Sequence, residues 1–334
     1  MKTILLSLSL VIGLASISLA KFPEDFDAPV SRIAFGSCNK HDLPQPLWGV
    51  IEEAKPDLFI WMGDNVYGDT EDMKVLKAKY DAQRKNQGYA GFSKKTPILS
   101  TWDDHDYGEN NAGSWYTKKA ESQQLALDFT DVPSDDPRRS REGIYGSYTF
   151  GPKDKRLKVI LIDNRYHSDK RGQGEDMLGQ EQMSWLKQEL KGSDAKLNLI
   201  VSGTQVLPVD HRYEKWANFP ATRDALFDFI REEKVPGVMF ISGDRHIHEI
   251  SVKNDADTPY PFVEVTSSGL THSWRNFPGE PNRHRSGIVH DELGFGFIEI
   301  NWDGEHPDVT FQIRNEDNAV VNSVRLPLES LKAN

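Results

Sequence analysis

Residues 58–69 read LFIWMGDNVYGD, and this stretch decides the fold. Leu58, Phe59, Ile60, Trp61 and Met62 form a short unbroken apolar run, the pattern of a parallel strand buried on both faces. The run stops at Gly63, and Asp64, Asn65 and Tyr67 follow at once. Open α/β sheets bind ligands at the carboxyl ends of their strands, so a carboxylate and a phenol delivered there together read as metal ligands. The same residues read equally well as a strand followed by a turn, since Asp and Asn favour turns. The neighbouring segments decide between the two.

Upstream, residues 31–37 (SRIAFGS) read as a strand with Cys38 and Asn39 at its end. Residues 43–54 read as a helix with Leu47, Val50 and Ile51 on one face, closed by Pro56 and Asp57. Strand, helix and strand make one βαβ unit, whose right-handed crossover places Cys38 and Asp64 at the same edge of one sheet. Downstream, residues 70–84 read as a helix, 87–93 as a glycine-containing loop and 97–102 as a third strand. That strand ends in Asp103, Asp104, His105 and Asp106, with Asn110 and Asn111 in the loop beyond. Adjacent carboxylates and a histidine directly after an apolar strand point to a site rather than to a solvated acidic loop.

The pattern recurs. Residues 114–129 read as a helix, 132–141 as a charged loop and 144–150 as a strand. The strand at 157–162 ends in Asp163, Asn164 and Arg165; a helix at 178–190 and a strand at 197–201 follow. A helix at 218–234 precedes the strand at 238–241, which ends in Gly243, Asp244, Arg245 and His246, with His248 a neighbouring loop residue. Residues 262–266, 296–301 and, last, 308–313 read as strands without long helices between them, hence antiparallel. No internal repeat or linker interrupts the chain, so one domain is expected. Thiolate, carboxylate, imidazole and phenolate all ligate metals once deprotonated. Thiolate and phenolate suit iron(III), or zinc on the thiolate side, whereas carboxylates and amides suit calcium, magnesium or manganese.

The 334 residues carry a formal net charge of -11 and a pI of about 5.4. This argues against a sequence-independent nucleic-acid binder, which needs a basic face. It leaves room for an anionic substrate, because bound metal ions reverse the local field. Met1-Lys2, an apolar stretch over 4–17 and Ser18-Leu19-Ala20 read as a signal peptide over residues 1–20. That implies an exported protein, periplasmic or extracellular. The stretch is short for a spanning helix, and no second candidate follows. Cys38 is the one cysteine, so no internal disulfide can form. A lone exported thiol is prone to oxidation; Cys38 is either a small buried hydrophobe or a metal-bound thiolate.

One combination of motifs resembles a known family. Gly36-Ser37-Cys38, Gly63-Asp64-Asn65-x-Tyr67-x-Asp69, Trp102-Asp103-Asp104-His105-Asp106, Asn110-Asn111 and Gly243-Asp244-Arg245-His246 are together similar to PhoD-type alkaline phosphatase/phosphodiesterases. These belong to the calcineurin-like metallophosphoesterases, which include the purple acid phosphatases. The resemblance runs over about residues 31–268. It implies an α/β fold, a four-layer α/β/β/α sandwich of mixed sheets, with the site at the strand ends. By motif match, Cys38, Asp64, Tyr67 and His246 would hold Fe3+, with Asp64 bridging to a second ion. Asp104 and Asp244 would hold that ion, commonly Ca2+, and Asn111 or Asn110 would complete its shell or touch phosphate. Zn2+, Mn2+ and Mg2+ are the alternatives.

His105 stands where the superfamily has its catalytic histidine. Asp104 replaces the usual preceding Asn, and Cys38 replaces an Asp-x-His motif; both departures are those of the PhoD branch. The extra N-terminal domain of many members is expected to be missing here. The implied activity is hydrolysis of phosphate mono- or diesters through a metal-bound hydroxide. Arg165 would stabilise the phosphate charge and His105 would protonate the leaving oxygen. Arg165 reads equally as the ion-pair partner of Asp163, and His105 as a histidine supporting the ligands. Rival readings are a phospholipase-D-like activity on lipid headgroups, with Trp115, Tyr116, Trp216 and Trp274 lining a pocket, and a non-catalytic metal-dependent binding protein. Intact ligands at every motif argue against the last.

Overall fold

The structure is a computed structural model describing residues 21–332, so the signal-peptide reading of residues 1–20 lies outside the described residues. β1 (Arg32–Gly36), α1 (Leu47–Glu53) and β2 (Leu58–Met62) form the expected unit, with β1 parallel to β2 and Ala34 opposite Phe59. α2 (Met73–Lys85) and α3 (Gln87–Ser93) lead to β3 (Ile98–Thr101), parallel to β2. The α3 segment is a helix, not the loop its glycines suggest. The Asn86 side chain caps it by accepting from the Tyr89 N–H, and Tyr89 and Phe92 bury against the Trp48 ring. Burying such rings stabilises by about 2–3 kcal/mol each, more than the ~1 kcal/mol an internal glycine costs. A one-turn helix, α4 (Asp104–Tyr107), and α5 (Lys119–Phe129) complete this half.

The second half contains β4 (Gly146–Phe150), β5 (Leu157–Leu161), α6 (Gly179–Lys191), β6 (Leu197–Ser202), α7 (Pro220–Glu232) and β7 (Val238–Ser242). Then come β8 (His248–Lys253), β9 (Phe262–Ser267), β10 (Arg285–His290), β11 (Gly294–Asn301), β12 (Asp308–Asn315) and β13 (Val320–Pro327). The six-stranded sheet runs β13-β12-β11-β1-β2-β3 and the seven-stranded sheet β10-β8-β9-β7-β6-β5-β4. β11 and β12 are antiparallel as expected, and β13 joins them antiparallel, but β9, read as part of the same antiparallel run, pairs parallel with β7 and antiparallel with β8. The strand at 308–313 is not the last, since β13 follows it. β8, β10 and β13 escape sequence reading: β10 and β13 lie at sheet edges with Ile288 and Val320 exposed, and β8 carries His248, Glu249, Ser251 and Lys253, polar residues that only the tertiary structure buries.

Side-chain alternation builds the layers. Ile33, Phe35, Leu58, Ile60 and Met62 face the second sheet and join one core with Val159, Leu161 and Ile200. Ala34, Phe59 and Trp61 face the other way and pack on Trp48, Phe92 and Phe129 of α1, α3 and α5. Leu186 and Leu190 of α6 and Leu226 and Ile230 of α7 cover the far side of the second sheet. The result is helices, sheet, sheet, helices, with both sheets mixed. The sheets are tied at one edge: the Ser37 hydroxyl donates to the Ser267 carbonyl at 3.0 Å, and the Gly269 N–H donates to the Ser37 carbonyl at 3.3 Å. That edge is where β1, β2, β3, β7 and β9 all end.

Candidate metal centre

Gly63 sets the approach of β2 to β3. Its φ is +95°, and a Cβ placed on it would lie 2.4 Å from the Asp103 Cβ and 2.5 Å from the Asp103 nitrogen. Only glycine fits there. Beyond it Asp64 turns left-handed, and its backbone N–H donates to the Asp106 carboxylate at 3.1 Å. The same carboxylate accepts the N–H groups of Asn65 and Asp103. Asp106 thus ties the ends of β2 and β3 into one turn, and burial pushes its carboxyl up to about 7.

At the ends of β1, β2 and β7 the Cys38 thiol, one Asp64 carboxylate oxygen and one His246 ring nitrogen lie within 4.8 Å of one another. The Tyr67 hydroxyl lies 3.1 Å from His246 Nε2 and 3.4 Å from Asp64 Oδ2. Asp64 also belongs to a second group, with Asp104 and His105, and Asp104 in turn belongs to a third, with Asp103 and Asp244. Asp64 and Asp104 therefore link a thiol–imidazole–phenol cluster to an all-carboxylate cluster. Cys38, Asp64, Asn111, Asp244 and His246 all have positive φ, between 50° and 67°. Few non-glycine residues adopt this conformation, and it tends to gather at functional sites.

The electrostatics of the bare cluster are adverse. Burial pushes the Cys38 thiol up to about 11. Burial, with Cys38 and the neighbouring carboxylates, raises Asp64 well above its ordinary value. Burial, Asp104 and Glu214 push Asp244 up to about 6, and burial with the adjacent negative charges raises Tyr67. Asp104 is the exception. Burial acts to raise it, but Arg165, His105 and the N–H groups of Asn111 and His105 outweigh burial and hold it low. One buried carboxylate oxygen, Asp103 Oδ2, has no hydrogen-bond partner. A crowd of buried acids with an orphaned oxygen fits cations, because bound ions favour the deprotonated form of each donor. The first cluster matches a thiolate- and phenolate-binding ion, and the second a hard ion preferring oxygen.

His105 lies at the edge of the cluster. Its Nδ1 is 2.6 Å from Asp69 Oδ1, and its ring packs on Tyr67 with centroids 4.3 Å apart. Burial acts to lower its pKa, but Asp69 and the nearby acids prevail and raise it. Arg165 is 1 % exposed, with its guanidinium 2.6 Å from Asp103 and 2.8 Å from Glu214. The expected pair with Asp163 does not form between the side chains. The Asp163 carboxylate instead accepts the Trp102 indole N–H and the backbone N–H groups of Ile144, Arg165 and Tyr166. Asn111 is exposed, and its N–H donates to Asp104 at 2.6 Å. Asn110 and Asn111 line a cleft of about 620 Å³ that opens on Asp104, Asp244 and His246. Glu214, Arg245, Tyr213 and Trp274 form other parts of its wall. Of the four aromatics expected to line a pocket, Trp274 lines this cleft, whereas Trp216 and Tyr116 are core and Trp115 is exposed outside it. His248 lies on β8, buried, and its ring packs 5.6 Å from that of His290.

Sequence reading passed over His272. Its Nε2 is 3.0 Å from the Tyr67 hydroxyl, its ring centroid is 4.6 Å from that of His246, and burial pushes its pKa to about 3. The available signal was the one used elsewhere, a polar burst (Ser268, Thr271, His272) after the apolar strand β9.

A family model described as PhoD-like phosphatase matches residues 33–293. The chain belongs to the PhoD-like phosphatase family. Among curated proteins, alkaline phosphatase D of Bacillus subtilis (strain 168) is 24 % identical over 284 residues. The match covers 66 % of this chain but 46 % of that protein, so this PhoD-like chain spans less than half of its relative's length. Among solved structures, one described as PhoD aligns with a TM-score of 0.72 at 16 % identity, covering 92 % of this chain and 70 % of that one. A dimetal phosphatase from Danio rerio aligns at 0.51 and 12 % identity, covering 92 % of this chain and all of that one (100 %). GAP50, described as the anchor in the inner membrane complex of Plasmodium, aligns at 0.58 and 14 % identity, covering 90 % and 89 %. At these identities the structural matches establish the fold of this PhoD-like protein. Among the described residues, no helix is long and apolar enough to cross a membrane.

Proposed function

We propose that this protein is an exported, metal-dependent phosphoesterase that hydrolyses phosphate mono- or diesters. The observation that carries the reading is the meeting of Cys38, Asp64, Tyr67 and His246, from strand ends far apart in sequence, beside the carboxylates of Asp103, Asp104 and Asp244. Cys38, Asp64, Tyr67 and His246 would hold Fe3+. Asp104 and Asp244, with Asp64 between the two sites and Asn111 at the rim, would hold Ca2+. When bound, such ions neutralise the phosphate oxygens and make water nucleophilic at neutral pH.

The protein's own groups do the rest. His105, raised by Asp69, carries a proton beside Asp64 and Asp104 and donates it to the departing oxygen. Asn110 and Asn111 offer amide donors to the phosphate. Arg165 has two carboxylates against its guanidinium. We therefore assign it to holding Asp103 and Glu214 in place, which supports the phosphate site from behind. The Tyr67 oxygen also lies 3.0 Å from His272 Nε2, so that imidazole can donate to the phenolate and orient it.

The test is turnover of p-nitrophenyl phosphate and bis-p-nitrophenyl phosphate by metal-replete protein, with elemental analysis of the same sample. At least one ester should be cleaved, and Asp64→Ala should abolish cleavage and reduce bound metal. Loss of activity on EGTA treatment would support calcium at the carboxylate cluster, and indifference to it would point to another ion. Metal-replete protein that cleaves neither ester would overturn the reading.

A further inference from the structure

The cleft wall built by residues 210–215 has a feature that metal-centre chemistry leaves unused. Tyr213 sits between cations and an aromatic. The Arg245 guanidinium lies 4.3 Å from its ring centroid and that of Arg212 5.2 Å, and the Trp274 ring meets it edge-on at 5.7 Å. Arg212 also donates to the Tyr213 hydroxyl at 3.2 Å. The segment is tied down at several points. The Lys215 ammonium, buried, donates to the carbonyls of His211 (2.6 Å) and Tyr213 (3.2 Å). Glu214 pairs with Arg165, and Asp210 pairs with Arg283. The Trp274 backbone is tied next to the metal centre, its main-chain N–H donating to the His246 carbonyl at 2.6 Å. Such a wall is ordered before any ligand arrives, which lowers the entropy cost of binding.

The charges on this wall are not all spent. Arg245 is buried and paired with Glu280. Arg171 and Arg212 line the same cleft, are exposed, and form no salt bridge with any described carboxylate. Two guanidiniums without a carboxylate partner beside a phosphate site, on a chain of net charge -11, are a recognition feature rather than a by-product of overall charge. Guanidinium matches phosphate and carboxylate in charge and in the spacing of its donors.

We propose that Arg171 and Arg212, with the Tyr213–Trp274 face, form a specificity subsite for a second anionic group on the substrate. The protein would then favour esters whose non-scissile part carries a phosphate or a carboxylate. This rests on the phosphoesterase reading above and narrows its substrate class.

The experiment uses matched pairs that differ by one anionic group on the non-scissile part. For diesters these are thymidylyl-thymidine with and without a 5′-phosphate; for monoesters, 3-phosphoglycerate and glycerol 3-phosphate. Whichever ester type is cleaved, kcat/KM should favour the more charged member by about tenfold, a typical gain from one charge-assisted contact. The preference should shrink as ionic strength rises, because exposed charges are screened. In Arg171→Gln/Arg212→Gln the ratio within each pair should fall toward one. A ratio corrects for any general loss of activity or folding, and melting temperature and metal content are measured alongside. Wild-type protein that cleaves p-nitrophenyl esters without discriminating within the cleaved pair would overturn the subsite alone. An unchanged ratio in the double variant would do the same. Failure to cleave any ester would overturn the underlying function instead.

Discussion

Gly63→Ala isolates the contact that brings two strand ends together. The added methyl group would meet the Asp103 Cβ at 2.4 Å, the Asp103 nitrogen at 2.5 Å and the Trp102 carbonyl carbon at 2.7 Å. Two of these neighbours are backbone at the end of β3 and cannot rotate away. A φ of +95° adds a conformational cost of about 1–2 kcal/mol for an L-residue, and overpacking typically adds about 1–3 kcal/mol. The expected loss is therefore about 2–5 kcal/mol, or roughly 3–7 °C in melting temperature for a chain of this size. Because the displaced residue is Asp103, next to Asp104, bound metal and ester turnover should fall with it. The comparison is Gly49→Ala, at an exposed position inside α1 where a Cβ meets nothing within 4 Å. There the same methyl should stabilise by about 0.5–1 kcal/mol. Calorimetry and elemental analysis of both variants decide the matter. Equal melting temperatures and equal metal content would refute the claim that β2–β3 approach at Gly63 builds the site.

Cys38→Ser should keep the fold, since a hydroxyl fits beside Ser37 and Ser268, but should lose tightly bound transition metal and any charge-transfer colour; unchanged metal content would remove the thiol from the ligand set. His105→Ala should lower kcat by about 10²–10⁴-fold with metal content retained, as expected for a lost proton donor, and equal loss of both would make it a support for the ligands. With its pKa raised, His105 is protonated below that pKa and loses its proton as pH rises through it, so turnover should fall on the alkaline side. Asp69→Asn should move that alkaline limb to lower pH, and a pH–rate profile that does not move would refute the pairing. Arg165→Met leaves Asp103 and Glu214 buried without a cation, and removing one partner of a buried pair costs about 3–5 kcal/mol; denaturant titration should show this even in protein stripped of metal.

Much of the frame was legible because parallel strands buried on both faces announce themselves as apolar runs, and β2, β5, β6 and β7 are such runs. The ligand candidates were legible for a related reason. Charge placed directly after a buried strand costs too much to be incidental, and Cys38, Asp64, Asp104, Asp244 and His246 all follow one. What escaped depended on tertiary partners. α3 is helical because Tyr89 and Phe92 have Trp48 to pack on, which no local pattern discloses. β13 runs along a sheet edge, where Asn322 donates to the Ser286 and Ile288 carbonyls of β10 and only part of the strand is buried. The partner of Arg165 could not be guessed from Asp163 two residues away, because the guanidinium reaches across to Asp103, sixty-two positions upstream.

The left-handed turns at Cys38, Asp64, Asn111, Asp244 and His246 bear on how the protein must be handled. Hydrogen bonds hold several of them, as Asp106 does at Asp64, Asp104 at Asn111 and Ser268 at His246, and bound cations would add a further restraint. Thermal resistance should therefore track ion supply through mass action. A preparation passed over a chelating column should soften first at these five hinges, and limited proteolysis there would register depletion without any phosphate ester in the tube.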